Sequence, residues 1–167
     1  MCQIGDKVIH INGGVFVVEE IKIMNYGFGD VRYICLKPYF VDTVNKTLTI
    51  FVPYDKKEEL IRPIMTKEMA LEVINKIKNI EPIWYQEAKA RKEKFGQLLN
   101  THDIDNICII VKSLYVKQLE LQENNKSLNL MDYDYLKKLK KGIEEELAIA
   151  LNINVDEVGE LITKTIS

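Results

Sequence analysis

The stretch Leu60-Ile61-Arg62-Pro63-Ile64-Met65-Thr66-Lys67-Glu68-Met69 divides the chain into two kinds of pattern. Before it, β-branched and aromatic residues come in short runs: Val8-Ile9-His10-Ile11, Val15-Phe16-Val17-Val18, Tyr33-Ile34-Cys35-Leu36 and Leu48-Thr49-Ile50-Phe51-Val52. Such runs fit a pleated, half-buried surface. Turn chemistry separates them at Asn12-Gly13-Gly14, at Asn25 to Asp30 with its two glycines, and at Asp42 to Lys46. Four or five strands in about 60 residues predict a small barrel of the SH3 or Tudor kind, closed so as to protect its edges.

After Arg62-Pro63 the apolar residues recur at three and four. Thr66 is an N-cap residue, and the periodicity puts Met69, Val73, Ile74 and Ile77 on one face. Pro82, at a first-turn position, predicts a second helix running to about Leu99. A third begins near Asp103 and turns Ile107, Ile110, Val111, Leu114 and Leu121 inward, up to the polar break Asn124-Asn125-Lys126-Ser127. Asn129 caps a fourth, with Asp132 three residues on and a stripe of Leu136, Leu139, Ile143, Leu147 and Ala150. A last helix spans Val155 to Ile166. None can bury its stripe alone, which predicts a bundle of about five helices. The expected fold is α+β: a β-barrel over 1–62, then a helical domain over 63–167.

Hydrophobic content of 47% with 29% charged residues is that of a globular protein. Apolar runs such as Ile107 to Val111 are too short for a bilayer, and the opening residues lack a secretory pattern, so a cytoplasmic protein with no membrane contact is expected. Cys2, Cys35 and Cys108 are odd in number and lack metal-ligand spacing, and read as small hydrophobes rather than a disulfide framework or zinc site. A net charge of -2 argues against a simple nucleic-acid binder, so any DNA contact must come from a local patch.

Nothing in the sequence nominates a catalytic site. Gly27-Phe28-Gly29-Asp30 reads as a hairpin turn, not a phosphate loop. His10 and His102 fall in different expected domains without a neighbouring nucleophile, and Glu144-Glu145-Glu146 reads as a solvated helix face. The expectation is a non-enzymatic monomer without cofactor or metal.

Two features suit binding. Trp84 to Lys94 sets the chain's single tryptophan beside Lys89, Arg91, Lys92 and Lys94. An aromatic wedge next to cations suits an unstacked DNA step, the ring filling the gap while the cations hold phosphates. Read from composition alone, Trp84 is instead a core anchor between helices. The second feature is Lys137-Lys138-Lys140-Lys141, a phosphate-tracking patch or, more simply, the solvated side of an amphipathic helix.

Collinear pieces of the chain resemble the CarD/CdnL-type regulators of bacterial transcription. They are Ile4-Gly5-Asp6-Lys7-Val8-Ile9, Gly13-Gly14-Val15, Val18-Glu19-Glu20-Ile21 and Arg32-Tyr33-Ile34-Cys35-Leu36-Lys37, followed by Leu48 to Pro53, Leu60-Ile61-Arg62-Pro63-Ile64, Trp84 and Glu146-Leu147-Ala148-Ile149-Ala150. The resemblance implies an N-terminal Tudor-like domain, of the type shared with transcription-repair coupling factors, that binds the RNA polymerase β subunit. It implies a helical domain that touches promoter DNA at the upstream edge of the bubble and stabilises the open complex. By position, Trp84 is the wedge, with Lys89, Arg91 and Lys92 as its phosphate-holding neighbours. Leu48 to Val52 is the polymerase-facing strand, with Met24, Ile50 and Phe51 as contacts.

The chain departs from the family where two arginines usually follow the tryptophan. Gln86 and Glu87 stand there, and an acid for a base weakens DNA contact. This supports a rival reading, a polymerase-bound adaptor whose helices recruit protein and never meet DNA. Met24 and Phe51 are apolar where some members carry arginine, so burial replaces ion pairing at that contact.

Overall fold

The computed structural model describes residues 2–166 and has a mixed α+β fold. It divides into two compact units, Met1–Met65 and Thr66–Ser167, three residues past the boundary expected from Arg62-Pro63.

The first unit is a five-stranded antiparallel sheet: β1 (Lys7–His10), β2 (Val15–Asn25), β3 (Asp30–Pro38), β4 (Ile50–Pro53) and β5 (Ile61–Pro63). Its order is β4-β3-β2-β1-β5, so β4 and β5 are edges and the pairing is that of an open sheet, not the closed barrel expected. Both edge strands are short and end in proline, which cannot donate to a further ladder. A 3-10 turn (Tyr54–Lys56) and the single-turn helix α1 (Lys57–Leu60) carry the chain from one edge to the other.

β2 and β3 form a long hairpin that extends well past the apolar runs. Glu19, Glu20 and Lys22 interrupt the hydrophobic pattern of β2, but the strand continues, and its register with β3 shifts between Val18 and Glu20 at a bulge. β4 begins at Ile50, two residues later than expected, because Leu48 is held in a turn on the Asn45 carbonyl. One face of the sheet is dry, with Val8, Phe16, Val18, Ile34, Leu36, Val52 and Ile61 forming its core. Each such burial stabilises by about 1.5–3 kcal/mol. Gly14 sits at φ +96°, where a Cβ would lie 3.3 Å from the Phe16 ring, so the β1–β2 turn needs glycine for both reasons.

His10 closes β1, is buried at 6% exposure, and accepts the Asn12 N–H on Nδ1 at 3.2 Å. Burial pushes its pKa below the ordinary 6.5. The unfolded chain therefore takes up the proton first, and the contribution of His10, present above about pH 6.5, is lost as pH falls. Urea denaturation at pH 7.5 and 5.5 will show a larger acid loss in the native sequence than in His10→Gln. Equal losses would remove His10 from the account.

The second unit holds α2 (Lys67–Ile77), α3 (Ala88–Leu99), α4 (Ile104–Glu123), α5 (Leu130–Leu151) and α6 (Val155–Ile166). Thr66 caps α2 by accepting the Met69 N–H at 3.2 Å, and Asn129 caps α5 by accepting the Asp132 N–H at 2.8 Å. The buried stripe of α2 is Ala70, Val73, Ile74 and Ile77. Met69, expected inward, is 49% exposed. The true stripe keeps the i, i+3, i+4, i+7 spacing, with the small Ala70 fully buried. Phe95 from α3, Cys108, Ile110, Val111 and Leu114 from α4, Leu136, Ile143 and Leu147 from α5, and Val158 and Ile162 from α6 complete the interior. Burial pushes the Cys108 thiol up to about 12, which leaves it inert.

Candidate functional site

Residues 81–87 carry the tryptophan, and the helix expected from Pro82 does not form there. α3 begins only at Ala88, and Glu87 stands at its N-cap without a side-chain hydrogen bond. Two side chains from outside the segment take its backbone groups instead, Ser113 from thirty residues away and Arg91 from five and six. The Ile83 N–H donates to Ser113 Oγ of α4 at 2.8 Å, and that hydroxyl donates on to the Ile109 carbonyl at 2.6 Å. The carbonyls of Tyr85 and Gln86 accept from one terminal nitrogen of Arg91 at 2.8 and 2.9 Å. The segment is a strap laid over the helices rather than part of one.

Arg91 organises this strap. It is 5% exposed, and its Nε and other terminal nitrogen donate to Asp132 Oδ2 at 3.1 and 2.6 Å. Asp132 is itself only 3% exposed. The guanidinium carbon lies 4.3 Å from the centroid of the part-buried Trp84 ring, a cation–π contact. Lys117 of α4 brings a second cation to 5.4 Å from the same ring and pairs with Glu120 at 2.8 Å. Tyr85 meets Phe95 edge-on, with centroids 6.2 Å apart, and ties the strap to the interior.

The structure thus separates the four residues grouped around the expected wedge. Trp84 is neither sealed among aliphatic side chains nor on a helix face. Lys89 and Lys92 are exposed on α3, three residues apart and so on neighbouring positions of its surface. Arg91, expected to hold phosphate, is instead buried with its guanidinium committed to Asp132 and to strap carbonyls, and it lies against the Trp84 ring. Lys117 and Asp132 were missed. They lie on other helices, and only the tertiary fold brings them to Trp84. In the lysine cluster, Lys140 pairs with Glu144 at 3.4 Å and Lys141 lies 3.8 Å from Glu145, while Lys137 and Lys138 are exposed.

In the sheet unit, register sorts the other three residues. Cys35 lies opposite both Glu20 and Phe51, Tyr33 opposite Lys22, and Met24 opposite Val31. Directly opposed residues share a face, so Met24 and Phe51 belong to the face away from the core. Ile50 stands opposite Leu36 and, partly buried, packs against the core cluster on the other side of the strand from Phe51. Phe51 is 43% exposed, with the Lys22 ammonium 5.7 Å from its ring. Tyr26 donates its hydroxyl to Met24 Sδ at 3.4 Å and sets its ring edge-on to Tyr33. Met24, Tyr26 and Tyr33 are thus linked in one apolar and aromatic cluster, and Phe51 lies on the same face at the edge strand β4.

Among the described residues no group of three or more His, Cys, Asp or Glu could hold a metal ion, and no helix is long and apolar enough to cross a membrane. A groove between α5 and α6 mixes Lys140 and Lys164 with Glu144, Asp156 and Glu160, charges of both signs without a convergent donor set. No protein-family model matches the chain, and no curated protein matches it.

Proposed function

We propose that the chain is a non-enzymatic transcription regulator of the CarD/CdnL kind, acting in the cytoplasm. In this reading the sheet unit is a Tudor-like domain that docks the RNA polymerase β subunit through Met24 and Phe51. The helical unit, a five-helix bundle, sets Trp84 against promoter DNA at the upstream edge of the bubble and stabilises the open complex. The observation that carries the reading is the placement of Trp84: the chain's one tryptophan stands outside every helix, partly exposed, on a strap pinned from behind by a buried arginine.

An indole so held can enter an unstacked base step without first being ordered, which lowers the entropic cost of binding. Lys117 beside the ring and Lys89 and Lys92 on α3 supply positive charge for phosphates. One stacked aromatic contributes about 1–3 kcal/mol, and about 1.4 kcal/mol shifts an opening equilibrium tenfold. With a net charge of -2, the helical unit binds DNA weakly when free. Anchoring of the sheet unit on polymerase supplies the missing affinity as effective concentration.

The exposed Gln86 and Glu87 next to the ring favour the alternative, a polymerase-bound adaptor that recruits protein and leaves DNA untouched. Capture of the β subunit on immobilised full-length protein tests the part common to both. Native protein and Trp84→Ala will retain the β subunit equally, whereas Phe51→Asp, placing a charge on the aromatic face, will weaken retention at least about tenfold. Failure of the native protein to retain the β subunit would defeat both readings.

A further inference from the structure

We propose that Arg91 and Asp132 form a buried latch that sets the position of Trp84, so that the indole's presentation depends on an ion pair between α3 and α5. This rests on the functional reading above for its consequence at DNA, but not for its geometry.

The latch is built from four hydrogen bonds and one ring contact of a single guanidinium. Two donors converge on a single carboxylate oxygen, Asp132 Oδ2, at 2.6 and 3.1 Å. A third nitrogen is shared between the carbonyls of Tyr85 and Gln86, at 2.8 and 2.9 Å. The plane that remains meets the indole of Trp84, 4.3 Å from its centroid. Every one of these contacts uses the planar fork of arginine; a lysine ammonium in the same place could not reach a carboxylate and two strap carbonyls while also lying under a ring. Asp132 is fixed in turn, because its own N–H is held by the Asn129 cap of α5. The strap between Pro82 and Glu87 lies outside the helices, and besides the latch it is tied by the edge-on Tyr85–Phe95 contact, by Ile83 N–H on Ser113 and by the longer Lys117 contact to the ring. Removing the fork therefore loosens Trp84 while leaving Phe95 of α3 buried and α5 with its Asn129 cap and buried stripe. Arg91 is a positioning residue: it acts through the ring and not on the ligand.

Trp84 is the only tryptophan in the chain, so intrinsic fluorescence reads this one position. The experiment compares full-length native protein with Arg91→Lys and Asp132→Asn by far-ultraviolet circular dichroism, emission maximum and acrylamide quenching, and by open-complex lifetime with RNA polymerase. Both variants are expected to keep the helical spectrum, to shift emission to the red, and to raise the quenching constant at least about twofold. Their open-complex lifetimes should fall most of the way to that of Trp84→Ala. Folded variants with native emission and native quenching would overturn the latch. Released emission with an unchanged lifetime would uphold the latch and reject the DNA role of Trp84. Should neither variant fold, the pair is a core element rather than a positioning device, and the proposal fails.

Discussion

Asp132→Ala will destabilise the helical unit by about 3–5 kcal/mol, because it strands a guanidinium charge inside the protein. Arg91 and Asp132 are 5% and 3% exposed, so water cannot take the place of the lost carboxylate oxygen, which accepts two of the arginine's hydrogen bonds. A surface pair such as Lys76–Asp105, with side chains about half exposed, offers the contrast: its loss costs about 0–1 kcal/mol. For a unit of this size the loss at Asp132 corresponds to a drop in Tm of roughly 12–40 °C. The comparison that isolates the cause is the double variant Arg91→Met with Asp132→Leu. Replacing both members by apolar side chains removes the stranded charge, so stability should recover to within about 1–2 kcal/mol of native, even though the strap is no longer held. Chemical denaturation of the three proteins checks this order. A double variant as unstable as Asp132→Ala would mean that the pair's worth lies in packing, not in charge.

The second large effect is expected at Phe95→Ala, a loss of about 3–5 kcal/mol. Phe95 is 1% exposed and is the largest fully buried side chain among the described residues. It lies one helical turn beyond Arg91 on α3, and it receives the edge of Tyr85 from the strap. Truncation leaves a cavity and unpairs that ring, so strap and core loosen together. Thermal unfolding followed by circular dichroism measures the loss, and tryptophan emission should begin to shift below the main transition. Coincident, native-like transitions would show that the strap does not depend on the Phe95 contact.

The two-part organisation was legible because local chemistry decides it. The Leu60 to Met69 stretch ends one pairing strand in proline and opens a helix with a threonine cap, and each signal acts within four residues of itself. Asn129 was readable for the same reason. Pro82 shows the limit. Its first-turn preference is real, but the hydroxyl of Ser113 and the guanidinium of Arg91 compete for the backbone of residues 83–86, and neither competitor is visible in the strap's own sequence. The α2 stripe was legible at Val73, Ile74 and Ile77, and only its first member differs, the small Ala70 being buried in place of the bulkier Met69.

The candidate site was legible in its centre and not in its surround. Trp84 stands out as a lone indole among cations. Which cations face it is a tertiary matter: Arg91 turns inward to Asp132, and Lys117 arrives from α4. On the sheet, period-two alternation puts Phe51 and Ile50 on opposite faces, Phe51 outward and Ile50 toward the core. The open edge of β4 beside Phe51 was hidden for a different reason: a barrel expectation assigns every strand two neighbours.

The role of Trp84 is tested most directly by the lifetime of an open promoter complex challenged with heparin, measured with RNA polymerase alone, with native protein and with folded Trp84→Ala. Native protein should lengthen the lifetime about tenfold, and the variant, still bound to polymerase, should lengthen it little or not at all. Equal lifetimes with native protein and variant would contradict the account and leave the protein an adaptor that never touches DNA.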